Sequence, residues 1–282
     1  MINENKHHEK VLNYYKKSRL LYDTLLWGTK HFGYYPNAKK DISEKKAQIL
    51  MQDLMAKELD IKENQLLLDA GCGQGIVSAY FSGKYRCKII GIDIVPFVIE
   101  KANRLAKKLG IENRVEYHIM DYSNTTFDNN QFDAVYTMET FMHSPDTQKT
   151  LREFYRILKP GGKLVMFEYT IASNEAFTAW EKKIADIVIE GAALASLKNM
   201  KHDTFGEILK ATGFVSVEEK NITQHMEPSF YRHYRLFRIP YWFIKLFSLQ
   251  ERFINITTAY EIYKMGKKDL FRYCTFVASK PS

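Results

Sequence analysis

The sequence has few cysteines, no long apolar run and no low-complexity stretch, and each shortage excludes something. Only Cys72, Cys87 and Cys274 occur in 282 residues, and no C-x-x-C pair is formed. An odd count in a chain of this length argues against a disulfide framework and for a reducing cytosol. No uninterrupted apolar run approaches the roughly 18 residues that a membrane-spanning helix needs. The opening MINENKHHEK is polar and lacks the apolar segment of a secretory signal. The expectation is a soluble cytoplasmic protein, at most peripheral to a membrane. No metal site is expected either. His7 and His8 sit side by side in a polar terminus, and His202, His225 and His233 have no acid or cysteine at ligand spacing.

What remains is an ordinary globular composition, with 45% hydrophobic and 26% charged residues. The net charge of +8 permits acidic or membrane-surface partners without demanding nucleic acid. Apolar spacing predicts helices over 5–20 and 41–58, joined by the aromatic, loop-like YDTLLWGTKHFGYYP. From residue 65 onward, short apolar runs alternate with helical stretches. Strands are expected at 66–70, 88–93, 114–120, 132–138, 163–169, 214–220 and 271–279. Helices are expected from Ile76, over Pro96–Leu109, over Thr147–Leu158 and over 204–212, with a turn at Lys159-Pro-Gly-Gly. That alternation implies an α/β fold, a doubly wound and mostly parallel sheet covered on both faces. Four regions follow: an N-terminal cap (1–60), a core (61–170), a helical insertion (171–202) and the end of the sheet (203–282). The last of these carries a helical lid over 222–268.

The strongest local signal is LLLDAGCGQG, in which Asp69, Gly71, Gly73 and Gly75 mark a strand-to-helix turn. Glycines there let the backbone turn tightly and approach a ligand, and the following helix offers free N–H groups. Asp93 ends the next strand, where a carboxylate can accept hydrogen bonds from both ribose hydroxyls of an adenosine cofactor. Two cofactor types fit such a loop. A dinucleotide prefers G-x-G-x-x-G, whereas the spacing here is G-x-G-x-G. The acid at Asp69 would repel a pyrophosphate but suits the ammonium of a methionine moiety, which favours S-adenosylmethionine. Asp121, after the third strand, can accept from an adenine amino group, with Met120 or Tyr122 lining the ring. Cys72 reads as a small filler in the loop.

DAGCGQG, GIDI, the position of Asp121, FDAVYTMETFMHSPD and LKPGGKL together resemble the class I S-adenosylmethionine-dependent methyltransferases. The resemblance runs from about Gln65 to Tyr169. It implies a seven-stranded sheet completed by 214–220 and 271–279, with the cofactor at the carboxyl ends of the first strands. On the positions that match, it implies cofactor contacts from Asp69, Gly71, Cys72, Gly73, Gly75, Asp93, Ile94, Asp121, Tyr122 and Met138.

After the fourth strand, METFMHSPD carries Glu139, His143 and Asp146 to the rim where an activated methyl should lie. His143 is a candidate general base, and Glu139 can orient it or stabilise positive charge. A strand ending in E-x-x-x-H-x-P resembles the sterol C-methyltransferases and the tocopherol and related quinol-ring methyltransferases. The aromatic segment with Tyr22, Trp27, Gly28, His31, Phe32 and Gly33 resembles theirs too. This implies Tyr22 as a third catalytic group, and Trp27, His31, Phe32 and Tyr34 in a substrate pocket. The expected acceptor is a hydrophobic small molecule, such as a sterol, isoprenoid or prenylated compound. A phenol or amine is the alternative, and a non-catalytic cofactor-binding protein is a rival of another class. The stretch PSFYRHYRLFRIPYWFIKLFSLQ, rich in aromatics and arginine and free of acids, is expected to form an amphipathic lid. Its basic face could meet anionic headgroups. Homo-oligomerisation is also allowed.

Overall fold

The computed structural model describes residues 4–25 and 31–282, with the backbone alone over 19–25. Seven strands form one sheet: β1 (Leu66–Ala70), β2 (Lys88–Asp93), β3 (Val115–Ile119), β4 (Phe132–Met138), β5 (Leu158–Ile171), β6 (Val215–Asn221) and β7 (Phe271–Ser279). Their spatial order is β3-β2-β1-β4-β5-β7-β6. The pairs from β3 through β5 are parallel, and β7 runs antiparallel to both its neighbours. Leu67, Leu68 and Ala70 of β1 are fully buried, as are Val135 and Tyr136 of β4. A strand covered on both faces needs such a continuous apolar run.

Helices α3 (Ile76–Tyr85), α4 (Pro96–Leu109) and α5 (Thr147–Ile157) make the crossovers, and α2 (Glu44–Leu59) packs beside them. The chain leaves β1 toward β2 on one side and meets β4 on the other. Between β1 and β4 the carboxyl-end loops therefore diverge and leave a crevice, the switch point at which open sheets bind ligands.

Two expectations shift. The turn at Lys159-Pro-Gly-Gly lies within β5, as a register break between the Phe132–Leu158 and Ala134–Lys163 pairs. Helix α1 (Glu4–Leu25) runs past residue 20, so Tyr22 lies in a helix and not in a loop. The leucines at 20, 21 and 25 continue a helix-forming run that meets no glycine until Gly28.

Four further helices complete the described residues. These are α6 (Ala179–Gly191), α7 (Phe205–Thr212), α8 (Thr223–Leu246) and α9 (Ile254–Gly266). Helix α8 buries Met226, Phe230, His233, Phe237, Tyr241 and Ile244, a stripe at steps of three and four residues. Among the described residues, no helix is long and apolar enough to cross a membrane.

Candidate active site

The glycine loop folds back over β2. The N–H groups of Gly71 and Cys72 both donate to the carbonyl of Ile92, at 2.8 and 3.0 Å. Gly71 has a φ of +90°, and a Cβ there would come within 2.1 Å of Thr140 Oγ1. Gly75, at φ +74°, packs against the Tyr117 hydroxyl, where a Cβ would meet it at 2.6 Å. Gly73 differs, because a Cβ there meets nothing within 4 Å. It faces the cavity described below.

Asp93 clamps this loop. Its Oδ2 accepts from the Gly73 N–H at 3.1 Å and its Oδ1 from the Val95 N–H at 2.9 Å. Asp69 is buried, and the Ser78 hydroxyl donates to it. Burial pushes its carboxyl up to about 6. Cys72 is buried with its thiol held well above the ordinary range, so it has no nucleophilic character.

A smaller recess lies beside the loop, lined by His8, Val11, Tyr15, Ile94, Asp121 and Tyr122 among others. His8 Nε2 stands 3.1 Å from Asp121 Oδ2. Asp121 also accepts from the Ser123 N–H and hydroxyl. Tyr122 donates its hydroxyl to the Thr140 carbonyl at 3.0 Å. Helix α1 thus lies over the Asp121 end of the crevice.

At the end of β4, Met138 and Glu139 reach the centre. Glu139 has a φ of +57°, a left-handed conformation that a non-glycine residue adopts only when its surroundings hold it. Its Oε1 accepts from the Phe32 N–H at 3.0 Å and from the Tyr273 hydroxyl at 3.1 Å. Burial pushes its carboxyl up to about 8, over the opposing effect of those donors. His143 donates from Nδ1 to the Ala193 carbonyl at 3.1 Å, which leaves Nε2 to accept from the Tyr15 hydroxyl at 3.3 Å. Burial pushes His143 down to about 4, so the imidazole is neutral.

Below them Glu168 on β5 is fully buried. Its Oε1 accepts from the N–H groups of Thr140 and Phe141 and so fixes the turn that carries Met142 and His143. Desolvation raises its carboxyl to about 7.

One cavity of about 240 Å³ runs from this centre into the helical cap. Gly71, Gly73, Gln74 and Asp93 form its loop end. Tyr14, Tyr15, His31, Phe32, Glu139 and His143 surround its middle. Val188 of α6, Leu194 and Leu197 of the following turn, Phe237 of α8, and Ile262 and Met265 of α9 line the far chamber. The insertions after β5 and β6 therefore wall a mostly apolar space beside the loop.

The structure brings most of the sequence-expected residues together here, and leaves some out. Tyr34 does not line the cavity: its ring packs against His225, with centroids 4.9 Å apart, so it braces the cap. Trp27 and the side chain of Tyr22 lie outside the described residues. Sequence reasoning missed Tyr14, Tyr15 and Glu168. A signal for the first two existed: His7, Val11, Tyr14 or Tyr15, and Ser18 recur at helical spacing, which marks the inward face of α1. For Glu168, an acid inside the apolar run of β5 was the only hint.

The residues present fit S-adenosylmethionine. The open floor at Gly73 and the carboxylates of Asp93 and Asp121 are set at successive strand ends. Gly73 and Asp93 border the cavity that continues into the helical cap, and Asp121 lines the smaller recess beside it.

Comparison with known proteins agrees. A family model described as a methyltransferase domain matches residues 68–166. The S-adenosyl-L-methionine-dependent Diels-Alderase iccD of Talaromyces variabilis is 26% identical, over 96% of this chain and 94% of that one. The sterol 24-C-methyltransferase of Kluyveromyces lactis is 31% identical over 61% of this chain, which spans only 46% of that enzyme's length. The cyclopropane synthase MmaA2 of Mycobacterium tuberculosis shares the fold, with a TM-score of 0.82 at 16% identity over 97% of this chain and 98% of that one. Residues 68–166 thus carry an S-adenosylmethionine-dependent methyltransferase domain of class I, and the chain resembles the sterol and tocopherol methyltransferase group.

Proposed function

We propose that this methyltransferase acts on a hydrophobic small molecule held in the chamber between α6, α8 and α9, and that the methylated atom is an alkene carbon of an isoprenoid-like acceptor. The observation that carries the reading is the continuity of the cavity. It joins the glycine loop to a mostly apolar space lined by Val188, Leu194, Leu197, Phe237, Ile262 and Met265. When bound, S-adenosylmethionine supplies an electrophilic methyl group. The chain's own residues then hold the acceptor in line, where positioning supplies much of the acceleration, and keep water out.

In this reading Asp93 holds the ribose hydroxyls and Asp121 the adenine edge, with Ile94 and Tyr122 beside the ring. Asp69, Gly71, Cys72, Gly73 and Gly75 shape the loop, and Met138 sits at the methyl end. Methylation of an alkene leaves a carbocation. The faces of Tyr14, Tyr15 and Phe32 stabilise such a cation by about 0.5–2 kcal/mol each. Glu139 adds a carboxyl that ionises more readily beside positive charge. A carbocation gives its proton even to a weak base, and the neutral Nε2 of His143 is one. A phenol needs a stronger base than an imidazole held near 4. That contrast favours carbon over oxygen as the methylated atom.

A second reading has one observation in its favour. A relative matching over almost the whole of both chains is named a Diels-Alderase, and a mostly apolar chamber also suits a cyclisation that leaves the cofactor intact. Product mass separates the two. Incubation with S-adenosylmethionine and a lipid extract should yield a species heavier by one methylene, together with S-adenosylhomocysteine. A product isomeric with its substrate, with no S-adenosylhomocysteine, would sink the methylation reading and favour the cyclase. Turnover confined to phenols would sink the carbon assignment alone.

A further inference from the structure

The C-terminal half of α8 carries two faces. Phe237, Tyr241 and Ile244 point inward and are buried. The opposite side exposes large apolar side chains: Ile239 is 67% exposed, Trp242 59% and Phe247 65%, with Leu236, Phe243 and Leu246 about half exposed beside them. Phe253, just before α9, extends the patch. Single exposed hydrophobics are ordinary, but this many on one helix end mark an interaction surface.

Charge identifies what the patch meets. No acid occurs between Glu227 and Glu251, while Arg235, Arg238 and Lys245 are exposed among the apolar residues. Lys245 lies over the Trp180 ring at 4.7 Å, which brings the start of α6 into the same surface. Apolar and aromatic residues interleaved with cations, on a helix too polar to cross a bilayer, form the pattern that lies in the headgroup layer. A protein partner that covered this face would have to supply acids against every cation; an anionic bilayer supplies them as headgroups.

From this we infer that the α8–α9 end docks on an anionic membrane surface, with Trp242 and Phe247 inserted at the level of the headgroups and Arg235 and Arg238 against lipid phosphates. The placement has a consequence for access. His233 and Phe237, on the inner side of the same helix, line the chamber, as do Thr258 and Ile262 of α9. Docking therefore sets the chamber wall against the bilayer, about one helix diameter, or ~10 Å, from it. An acceptor dissolved in lipid meets the chamber without crossing water. The docking surface stands on exposure and charge alone, so it does not depend on the acceptor assignment.

Vesicle flotation tests it, using the full chain with phosphatidylglycerol-containing vesicles and with phosphatidylcholine alone. Wild type should float with the anionic vesicles and much less with the neutral ones, and salt should weaken the binding. Neutralising Arg235 or Arg238 should lower affinity about fivefold each. Trp242→Ala with Phe247→Ala should lower it at least as much. These variants should keep the wild-type melting temperature and S-adenosylhomocysteine affinity, since the side chains face away from the core. The inference is overturned if wild type ignores anionic vesicles at low salt, or if the double variant floats as wild type does. It is also overturned if the patch variants abolish a dimer that forms without lipid, because a second copy then covers this face.

Discussion

The backbone N–H of Phe32 donates to the Glu139 carboxylate at 3.0 Å, across 107 residues of sequence. This one bond ties the segment before α2 to the end of β4. It also holds Glu139 in its left-handed conformation, with the carboxyl between the glycine loop and the acceptor chamber. Tyr273 on β7 completes the grip. The carboxyl is positioned by three separate parts of the chain.

Glu139→Gln should therefore fold and still bind S-adenosylhomocysteine, yet lose turnover by about 10²-fold if the charge stabilises a cation in the transition state. The pH dependence has a definite sign. A carboxyl held near 8 in the folded state and near 4.5 unfolded binds more protons when folded. Stability should fall as pH rises between those values, by up to about 1.4 kcal/mol per pH unit from this group. Asp69 and Glu168, raised to about 6 and 7, add to the fall over the lower part of the range. Thermal unfolding across pH 5 to 8 should show the Gln variant flatter than wild type. Parallel curves would mean that Glu139 is ionised throughout.

The loop glycines should separate by position. Gly71→Ala forces a methyl toward Thr140 Oγ1, at a spacing of 2.1 Å, in a backbone that disfavours a side chain. Several kcal/mol of stability should be lost. Gly73→Ala meets open space and should cost only about 1–2 kcal/mol, the strain of a left-handed alanine. Its methyl enters the cavity, so S-adenosylhomocysteine affinity should drop at least tenfold by calorimetry. If Gly73→Ala binds as wild type does, the cofactor does not lie over that glycine.

Much of this was legible because the core obeys local rules. The apolar runs of β1 and β4 could only be buried strands, and the glycine spacing could only be a tight strand-to-helix turn. Asp93 and Asp121 were visible as acids at strand ends. The bulge at Lys159–Gly162 was not, because a Pro-Gly-Gly turn and a register break share one composition. Tyr34 was misplaced for a related reason: composition marks a segment as aromatic, and only tertiary packing decides that Phe32 faces the cavity while Tyr34 faces His225. Glu168 stayed hidden because its partners are backbone N–H groups, which carry no residue signature.

His143 should prove a support first and a base second. Its Nδ1 anchors the Ala193 carbonyl, and the His7 ring donates to its backbone carbonyl at 2.7 Å. His143→Ala should cost about 1–3 kcal/mol, the price of leaving a buried acceptor unpaired. Because burial holds the imidazole near 4, turnover between pH 5.5 and 7 should show no step from this residue. A step near 6.5 that disappears in His143→Ala would show an ordinary, solvated histidine and remove it from the buried site.

The far chamber holds one polar anomaly, and it bears on the acceptor. Glu261 of α9 lines the cavity and is buried. The Tyr241 hydroxyl and the Glu261 carboxyl are near enough to shift each other's proton affinity. Yet Tyr241 Oη and Glu261 Oε1 meet each other only in a poor geometry that falls short of a full hydrogen bond. A buried oxygen that lacks a well-formed hydrogen bond costs up to about 1–3 kcal/mol. Replacement by an apolar side chain of similar size should recover part of that, so Glu261→Met is expected to raise the melting temperature. Turnover should then divide by substrate. An acceptor with a hydroxyl at the end remote from the methylated carbon should lose affinity in Glu261→Met, since it loses the buried carboxyl of Glu261 at that end of the chamber, whereas a purely hydrocarbon acceptor should bind as well or better. Tyr241→Phe is the control, removing the neighbouring hydroxyl while keeping the ring stacked on Tyr260 at 4.1 Å. If Glu261→Met is instead strongly destabilised without any acceptor, the carboxyl has partners of its own within the fold. The remote hydroxyl would then have no place in the recognition of the substrate.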